Sequence, residues 1–518
     1  MSLLLLLLVG LGVWVFQILK MFYRLYLHPL RHIPGPKLAA ITHFYDFYYN
    51  IYHKGMFIFQ IEELHKVYGT SLGRKRPIVR IAPNEVHVND PAFYDEIYAS
   101  SRRRRDKPGY YAPLTGFPQS LVSTLTHDHH RMRRAVVSPF FSRRSIQELS
   151  AVSEGCTLKL MDRLQKFHDE NKIVRLDDAF AAMASDIITY LCYGYSQGFL
   201  DRENFGSYIR SAVNESTEAS HINRLFPLLP AFMHMIPMQF RCLFQPGLGV
   251  MNAYLRKLFE LSAQAFPIAD VDVNDTGTKK RAKYKTILAK LGDPRIPPEE
   301  RTLGRFRDEG VQFLTAGTET TGSTLTFAAY ILATHPDVLQ HLRTELKQVL
   351  PTLTSTSTLM DLEKLPYLTA FIYETLRRSY GPIFRAGRIA PTETLRYKDY
   401  VLPPGTIMSS STYFIHRDPI LFPDCDKFDP ERWLHGEKSE YLKRYHVSFS
   451  KGSRSCVGKS LAWNELYFTI AYMVRRFDFE LYNTTAEDME FISETIFPKT
   501  RRGMMTVYAK VNNVVESM

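Results

Sequence analysis

The stretch from Asp308 to Thr334 constrains this chain most, because it is apolar nearly all round and far too long for a strand. Acidic residues stand in its first turn and Pro336 lies just past its end, so it reads as one uninterrupted helix. A helix without a polar face needs partners on every side, which places it in the middle of a large protein. Leu368, Phe371, Ile372, Thr375 and Leu376 recur at the spacing of an amphipathic helix introduced by Pro366. Short β-prone stretches at 79–88 and 394–408, the second with a Pro-Pro-Gly turn, predict a small sheet. The expected fold class is mainly α with a minor β region.

The chain has 518 residues, 45% hydrophobic and 23% charged, an ordinary globular balance. Length alone suggests roughly three domains of about 150 residues. No repeat, low-complexity tract or convincing linker divides it, so one large domain over 41–518 is expected instead. The formal net charge of +12 favours acidic partners or anionic lipid. The longest basic run, Arg102 to Arg105, has no nucleic-acid-binding motif around it and reads as a solvated loop. Nucleic acid is not an expected partner.

Residues 3–19 carry no charge, and the apolar run extended to Tyr23 is long enough to span a bilayer as one helix. A secretory signal would need a positive leading region and a small-residue cleavage site, and neither is present. Residues 1–23 therefore read as a transmembrane anchor. Lys20, Arg24 and Arg31 follow the span, and the positive-inside rule puts the rest of the chain in the cytosol. Prolines at 29, 34 and 36 make 24–40 a basic segment, either a stiff hinge that sets the domain's angle to the membrane or an ordinary irregular linker.

Five cysteines stand at 156, 192, 242, 425 and 456, with no CxxC pair in a chain too long to need disulfide staples. Cys456 differs from the rest by its setting. Phe449, Gly452, Arg454 and Gly458 surround it, and a helical run, 459–474, follows. The dipole of that helix and the nearby guanidinium favour a thiolate, and the glycines allow backbone amides to point at the sulfur. A flat cofactor against Phe449 would suit such a loop, whereas a lone buried thiol would need none of it.

With its FxxGxRxCxG pattern the chain resembles the cytochromes P450, the haem-thiolate monooxygenases. The resemblance implies a single large P450 fold behind the anchor and haem b as cofactor. It makes Cys456 the axial iron ligand and pairs Arg454 with a haem propionate, with Phe449 and Gly452 as further cofactor-binding positions. Other motifs follow in the family's order. Glu374 and Arg377 stand three apart on one helix face, and Arg432, in a PERF-type segment 428–433, completes a Glu374–Arg377–Arg432 structural network by resemblance. The run 316–321, Ala-Gly-Thr-Glu-Thr-Thr, matches the family's acid–threonine motif and implies that Glu319 and Thr320 relay protons. Glu319 is costly inside an apolar helix without a task or a partner, and the Gly and Thr cluster weakens the helix locally, which can open its hydrogen-bond ladder to water. Thr320 could equally just bond back to the preceding turn. His130 and Arg134, four apart, align with the family's propionate-binding aromatic and arginine, in a register that crowding by His127, His129 and Arg133 could shift by one. Arg388 would reach a propionate as well.

The implied reaction inserts one oxygen atom from O2 into a lipophilic small molecule, with NADPH supplying electrons indirectly through NADPH-cytochrome P450 reductase. Arg131, Arg133, Lys443, Arg444 and Lys451 are compatible with docking that acidic partner. The expected location is the endoplasmic reticulum membrane, single-pass, with a cytosolic catalytic domain. Stretches 109–125, 204–240, 313–320, 382–387 and 492–498 are expected to line an apolar pocket, and 232–238 could dip into the membrane surface or pack in the core. The first hundred residues and the run 130–146 look most like fungal secondary-metabolism enzymes of the trichodiene-oxygenase type. That likeness favours a terpenoid substrate over a polyketide or an aromatic one. Rival readings are a reductase-independent isomerase or peroxygenase and a non-enzymatic haem carrier.

Overall fold

The computed structural model describes residues 2–69, 77–114, 116–229, 286–434 and 436–514, with isolated positions between 230 and 285. Its principal helices are α1 (Ser2–Phe22), α2 (His127–Val137), α3 (Arg143–Asp169), α4 (Leu176–Tyr193), α5 (Ser207–Glu218), α6 (Leu303–Thr334), α7 (Pro366–Arg378) and α8 (Lys459–Arg476). The expected central helix is α6. It starts five residues before its apolar pattern because the Thr302 side chain accepts from the Arg305 N–H and caps it.

Helix α6 packs along α4, an alanine-rich helix buried over nearly its whole length. Glycine makes that approach possible. A Cβ at Gly317 would stand 3.0 Å from Ile188 Cγ1, and one at Gly322 would stand 3.2 Å from the Ala181 Cα. The glycines therefore serve packing, and α6 runs as one helix without a break across 316–321. Around this pair, α3, α7 and α8 and the strand at 508–513 contribute to one apolar core. Each fully buried Phe or Leu there contributes about 2 kcal/mol relative to exposure.

The minor β region is a four-stranded sheet, β1 (Ile78–Ala82), β2 (Glu85–Val88), β3 (Arg388–Ile389) and β4 (Ile407–Ser409), in the order β1-β2-β4-β3. Strand β2 runs parallel to β4, and the other pairs are antiparallel. The sheet delivers Arg388 to the centre of the molecule.

Helix α1 lies apart from the core. The segment Leu7–Leu27 is long and apolar enough to cross a membrane. The prolines that follow do not stand free: Leu30 and Ile33 are buried against the sheet, and the Arg80 N–H donates to Pro34 O over 2.7 Å. A Cβ at Gly35 would collide with Arg80 O. The domain's packing thus extends upstream of 41. The Arg102–Arg105 run is solvated only at Arg102 and Arg104. Arg105 is 1% exposed, donates to Glu96 O and pairs with Glu393, which also holds Arg103, while Arg104 pairs with Asp128.

Candidate active site

The cysteine loop lies between the 98–99 backbone and the start of α8. Ser453 N–H donates to Ala99 O (3.0 Å), and Cys456 N–H donates to Phe449 O (2.9 Å). Gly452 has φ +75°, and any Cβ there would collide with the carbonyls of Tyr98 and Ala99. Only glycine lets the loop lie this close. The Cys456 side chain opens onto a cavity of about 350 Å³ that extends to α6. Burial pushes its thiol up, while the Gly458 N–H, Arg134 and Lys459 pull the other way.

One side of this cavity is strongly basic. Lys107, His130, Arg134, Arg388 and Arg454 all line it, and among the described residues none of them has a carboxylate at ion-pair distance. Arg454 spends its donors on the carbonyls of Arg105, Thr124 and Leu125; Arg388 uses those of Ala386 and Gly387; Lys107 uses that of Val122. The crowding is visible in their protonation. Burial, then the charges of Arg388 and Arg454, hold the Lys107 ammonium far below its ordinary value, and burial with Arg388 brings Arg454 down to about 9. His130 falls to about 2, by burial and then by Arg454, so it is a neutral hydrogen-bonding group. Buried positive charge without a counter-ion is unfavourable. A dianionic cofactor at this wall removes the cost, and the two propionates of haem, with Cys456 for the iron, fit the donor set.

The lining also carries apolar side chains: Phe141, Phe313 and Phe384, with Leu121, Ile188 and Leu376. Of the stretches expected to contribute, 109–125, 313–320 and 382–387 do so; the described parts of 204–240 and 492–498 do not. Most of 232–238 lies outside the described residues, as does Cys242.

The structure puts His130 and Arg134 together on the cavity wall and turns their neighbours away. Arg133 forms a two-pronged pair with Glu300 (2.8 and 3.0 Å), which also takes His129. Arg133 is therefore buried and unavailable as a docking residue. Glu319 and Thr320 are separated as well. Thr320 lines the cavity and donates to Ala316 O over 2.7 Å. Glu319, 2% exposed, lies in a separate hollow with Asp178 and Arg210, where Arg210 of α5 grips it with Nε to Oε2 at 3.0 Å and Nη2 to Oε1 at 3.1 Å. Ser323 adds a hydrogen bond to Oε1. Although burial alone would lower it, Glu319 and Asp177 hold the Arg210 guanidinium above its ordinary value.

Glu374 and Arg377, both fully buried, form a two-pronged pair at 2.8 Å. Arg432 reaches this pair only at its edge: its Nε is 3.5 Å from Glu374, and its Nη2 donates to Asp424 O. The close partners are Trp433 Nε1 (2.9 Å) and the Asp429 N–H (3.0 Å), which sequence reasoning passed over in favour of the arginine between them. Lys107 was also missed, since its loop carries no periodic signal. Glu465 was missed although its signal was available: it is a carboxylate inside the apolar run of α8, the same anomaly that singled out Glu319.

The family model for cytochrome P450 matches residues 45–507. Similar curated proteins include cytochrome P450 monooxygenase TRI4 of Fusarium sporotrichioides, 38% identical over 485 residues, 93% of this chain and 90% of that one. Conidiogenone synthase PchP450 of Penicillium rubens is 39% identical over 504 residues, 97% of this chain and 98% of its own. Among solved structures, a retinoic acid-bound cyanobacterial CYP120A1 is similar in fold, with a TM-score of 0.64 at 19% identity, covering 85% of this chain and 92% of that one.

Proposed function

This chain belongs to the cytochrome P450 family of haem-thiolate monooxygenases, and from that premise we propose that it inserts one oxygen atom from O2 into an apolar terpenoid, using electrons from NADPH-cytochrome P450 reductase. The observation that carries this reading is the cavity itself, lined together by Cys456, by a cluster of cations that have no carboxylate partner among the described residues, and by apolar side chains. The terpenoid preference rests on the likeness of the first hundred residues and the run 130–146 to fungal enzymes of the trichodiene-oxygenase type.

Cys456 would hold the iron, and Arg134, Arg388, Arg454 and Lys107, with neutral His130, would meet the propionates. When bound, haem supplies the activation of O2 for insertion into a C–H or C=C bond. The protein's own groups act around it. The Gly458 N–H and Arg134 favour the thiolate form of Cys456. The phenyl rings of the lining exclude water and accept an apolar skeleton. Thr320, whose hydrogen is engaged by Ala316 O, keeps lone pairs to hold a cavity water. Glu319 can join Thr320 in moving protons once Arg210 releases it.

A second hollow of about 600 Å³ reaches Cys456 from the surface, and Arg103, Lys443, Lys451 and Lys459 line it with Asp95. Lys451 pairs with Asp95, Lys443 with Glu440 and Arg103 with Glu96 and Glu393, which leaves Lys459 as the cation there with no carboxylate at ion-pair distance among the described residues. We propose this mixed-charge rim as the docking face for an acidic reductase. The proposed placement is single-pass in the endoplasmic reticulum membrane with the domain cytosolic, supported by Lys20, Arg24 and Arg31 around the end of Leu7–Leu27.

The test is the full-length protein with purified reductase, offered terpene and polyketide scaffolds, with NADPH and O2 consumption measured against products by mass spectrometry. Oxygenated terpenes formed in proportion to NADPH support the reading. Products from polyketides alone overturn the substrate class, and turnover with peroxide but not with reductase overturns the electron source. Cys456→Ser should abolish the thiolate-type carbon monoxide difference spectrum, and its persistence would overturn the ligand assignment.

A further inference from the structure

Two buried carboxylates approach the middle of α6, and they are not equivalent. Glu319 lies outside the cavity with Arg210 on both of its oxygens. With both oxygens engaged by a guanidinium in a separate hollow, it does not line the Cys456 cavity. Glu465 of α8 is as deeply buried, at 2% exposure, but it lines the Cys456 cavity together with Thr320 and Thr321. Among the described residues it has no ion-pair partner, and its carboxyl lies against the Thr321 hydroxyl.

Thr321 differs from its neighbours in the same way. On α6, Thr315, Thr320, Thr324, Thr326 and Thr334 all bond back to a carbonyl four residues earlier, and Thr318 meets Ser185. Thr321, 4% exposed, makes no such bond among the described residues, which leaves its hydroxyl for Glu465.

We infer that Glu465, acting through the Thr321 hydroxyl, holds and supplies a proton that the monooxygenase reaction consumes with O2. This rests on the monooxygenase reading above and deepens it. The proton leaves the Glu465 carboxyl, Thr321 passes one on to cavity water on the Thr320 side, and the carboxylate takes a proton back from water. The two electrons come from the redox partner and none from the protein. Burial pushes the Glu465 carboxyl up to about 8, so it carries its proton at neutral pH. Few charges perturb it. On α3 it faces Cys156, itself neutral because burial pushes its thiol to about 12; Asp186 of α4, which also bears on Cys156, is tied to the Phe199 and Leu200 N–H groups. From α6 it meets Thr321, and the Glu374–Arg377 pair of α7 is engaged with Asp429 and Trp433.

The experiment compares the full-length, haem-loaded wild type with Glu465→Gln, Glu465→Asp, Thr321→Val and Glu319→Gln. Infrared spectroscopy in H2O and D2O reads the protonated-carboxyl band directly, without turnover. Wild type should show a band that titrates near pH 8, absent in Glu465→Gln and retained in Glu319→Gln and Thr321→Val. NADPH-driven O2 consumption with reductase and no added substrate then reads the share of O2 released as hydrogen peroxide. Glu465→Gln and Thr321→Val should raise that share several-fold and remove its change around pH 8, and Glu465→Asp should restore part of both. A normal carbon monoxide spectrum in each variant shows that the site is intact. If wild type lacks that spectrum, the monooxygenase reading fails. If the spectrum is normal but the band survives Glu465→Gln, or the peroxide share moves only in Glu319→Gln, this inference fails.

Discussion

Two of the buried glutamate–arginine pairs in this protein were made by different means. Glu374 and Arg377 stand three residues apart on α7, so one turn of helix brings them together. Glu319 and Arg210 are 109 residues apart, on α6 and α5, and meet only because those helices pack with the acidic start of α4. The first pair is closed by Asp429 and Trp433. The second lines a hollow and shares Arg210 with Asp177 and Asp178. The local pair is built as a fixed brace, whereas the distant one joins a helix of the active cavity to a helix outside it and can be parted by moving α5.

Breaking the brace should cost most. Glu374→Gln leaves Arg377 buried at 0% exposure without its counter-charge, which costs about 3–5 kcal/mol. Thermal unfolding should show that loss together with reduced haem retention. If the variant keeps wild-type stability, the pair is not a brace.

Arg210→Leu should cost less, about 3 kcal/mol, because Arg175 still serves Asp177 and Asp178. The loss should grow with pH. Burial and Asp177 push Asp178 up to about 6 from 3.8, so the folded form favours its protonated state, and stability falls as pH rises from about 4 to about 6. Chemical denaturation at pH 4 and pH 7 checks this, and an equal loss at both would separate Asp178 from Arg210.

Glu465 sharpens the contrast, as an acid with no arginine partner among the described residues. Its value rises from 4.5 to about 8, so the unfolded chain loses its proton first and stability declines as pH climbs through that window. The decline is on the order of a few kcal/mol. Glu465→Gln should flatten that part of the stability–pH curve, measured by denaturation at pH 5 and pH 8. An unchanged slope would mean that Glu465 ionises freely in the fold.

The smallest effect should come from Arg432→Leu. Its Nε is 3.5 Å from Glu374 and its firm bond is to Asp424 O, so the loss should be about 1 kcal/mol. A loss as large as that of Glu374→Gln would restore Arg432 to the heart of the network.

Legibility followed contact distance along the chain. The cysteine loop could be read because its parts act within ten residues: Phe449 O receives the Cys456 N–H, and Gly452 is required where the loop crosses the 98–99 backbone. The helix of Glu374 and Arg377 could be read for the same reason. The solvated-loop reading of Arg102–Arg105 holds for Arg102 and Arg104 and fails for Arg103 and Arg105, because their partner Glu393 is nearly three hundred residues away. Arg133 failed as a docking residue because Glu300 buries it.

The acid–threonine motif shows where the boundary falls. Sequence alone determined that a carboxylate and a hydroxyl occupy 319 and 320 in the middle of a buried helix, and that Cys456 heads a loop fit for a haem thiolate. Successive helical residues point about 100° apart, so neighbours in sequence do not share a face. Tertiary structure alone decided which of the two would face the cavity. The packing of α4 against α6 turned Glu319 toward Arg210, left Thr320 on the cavity wall, and set Glu465 of α8 beside Thr321. Side-chain direction around a helix is set by what packs on each side, and those partners come from distant parts of the chain.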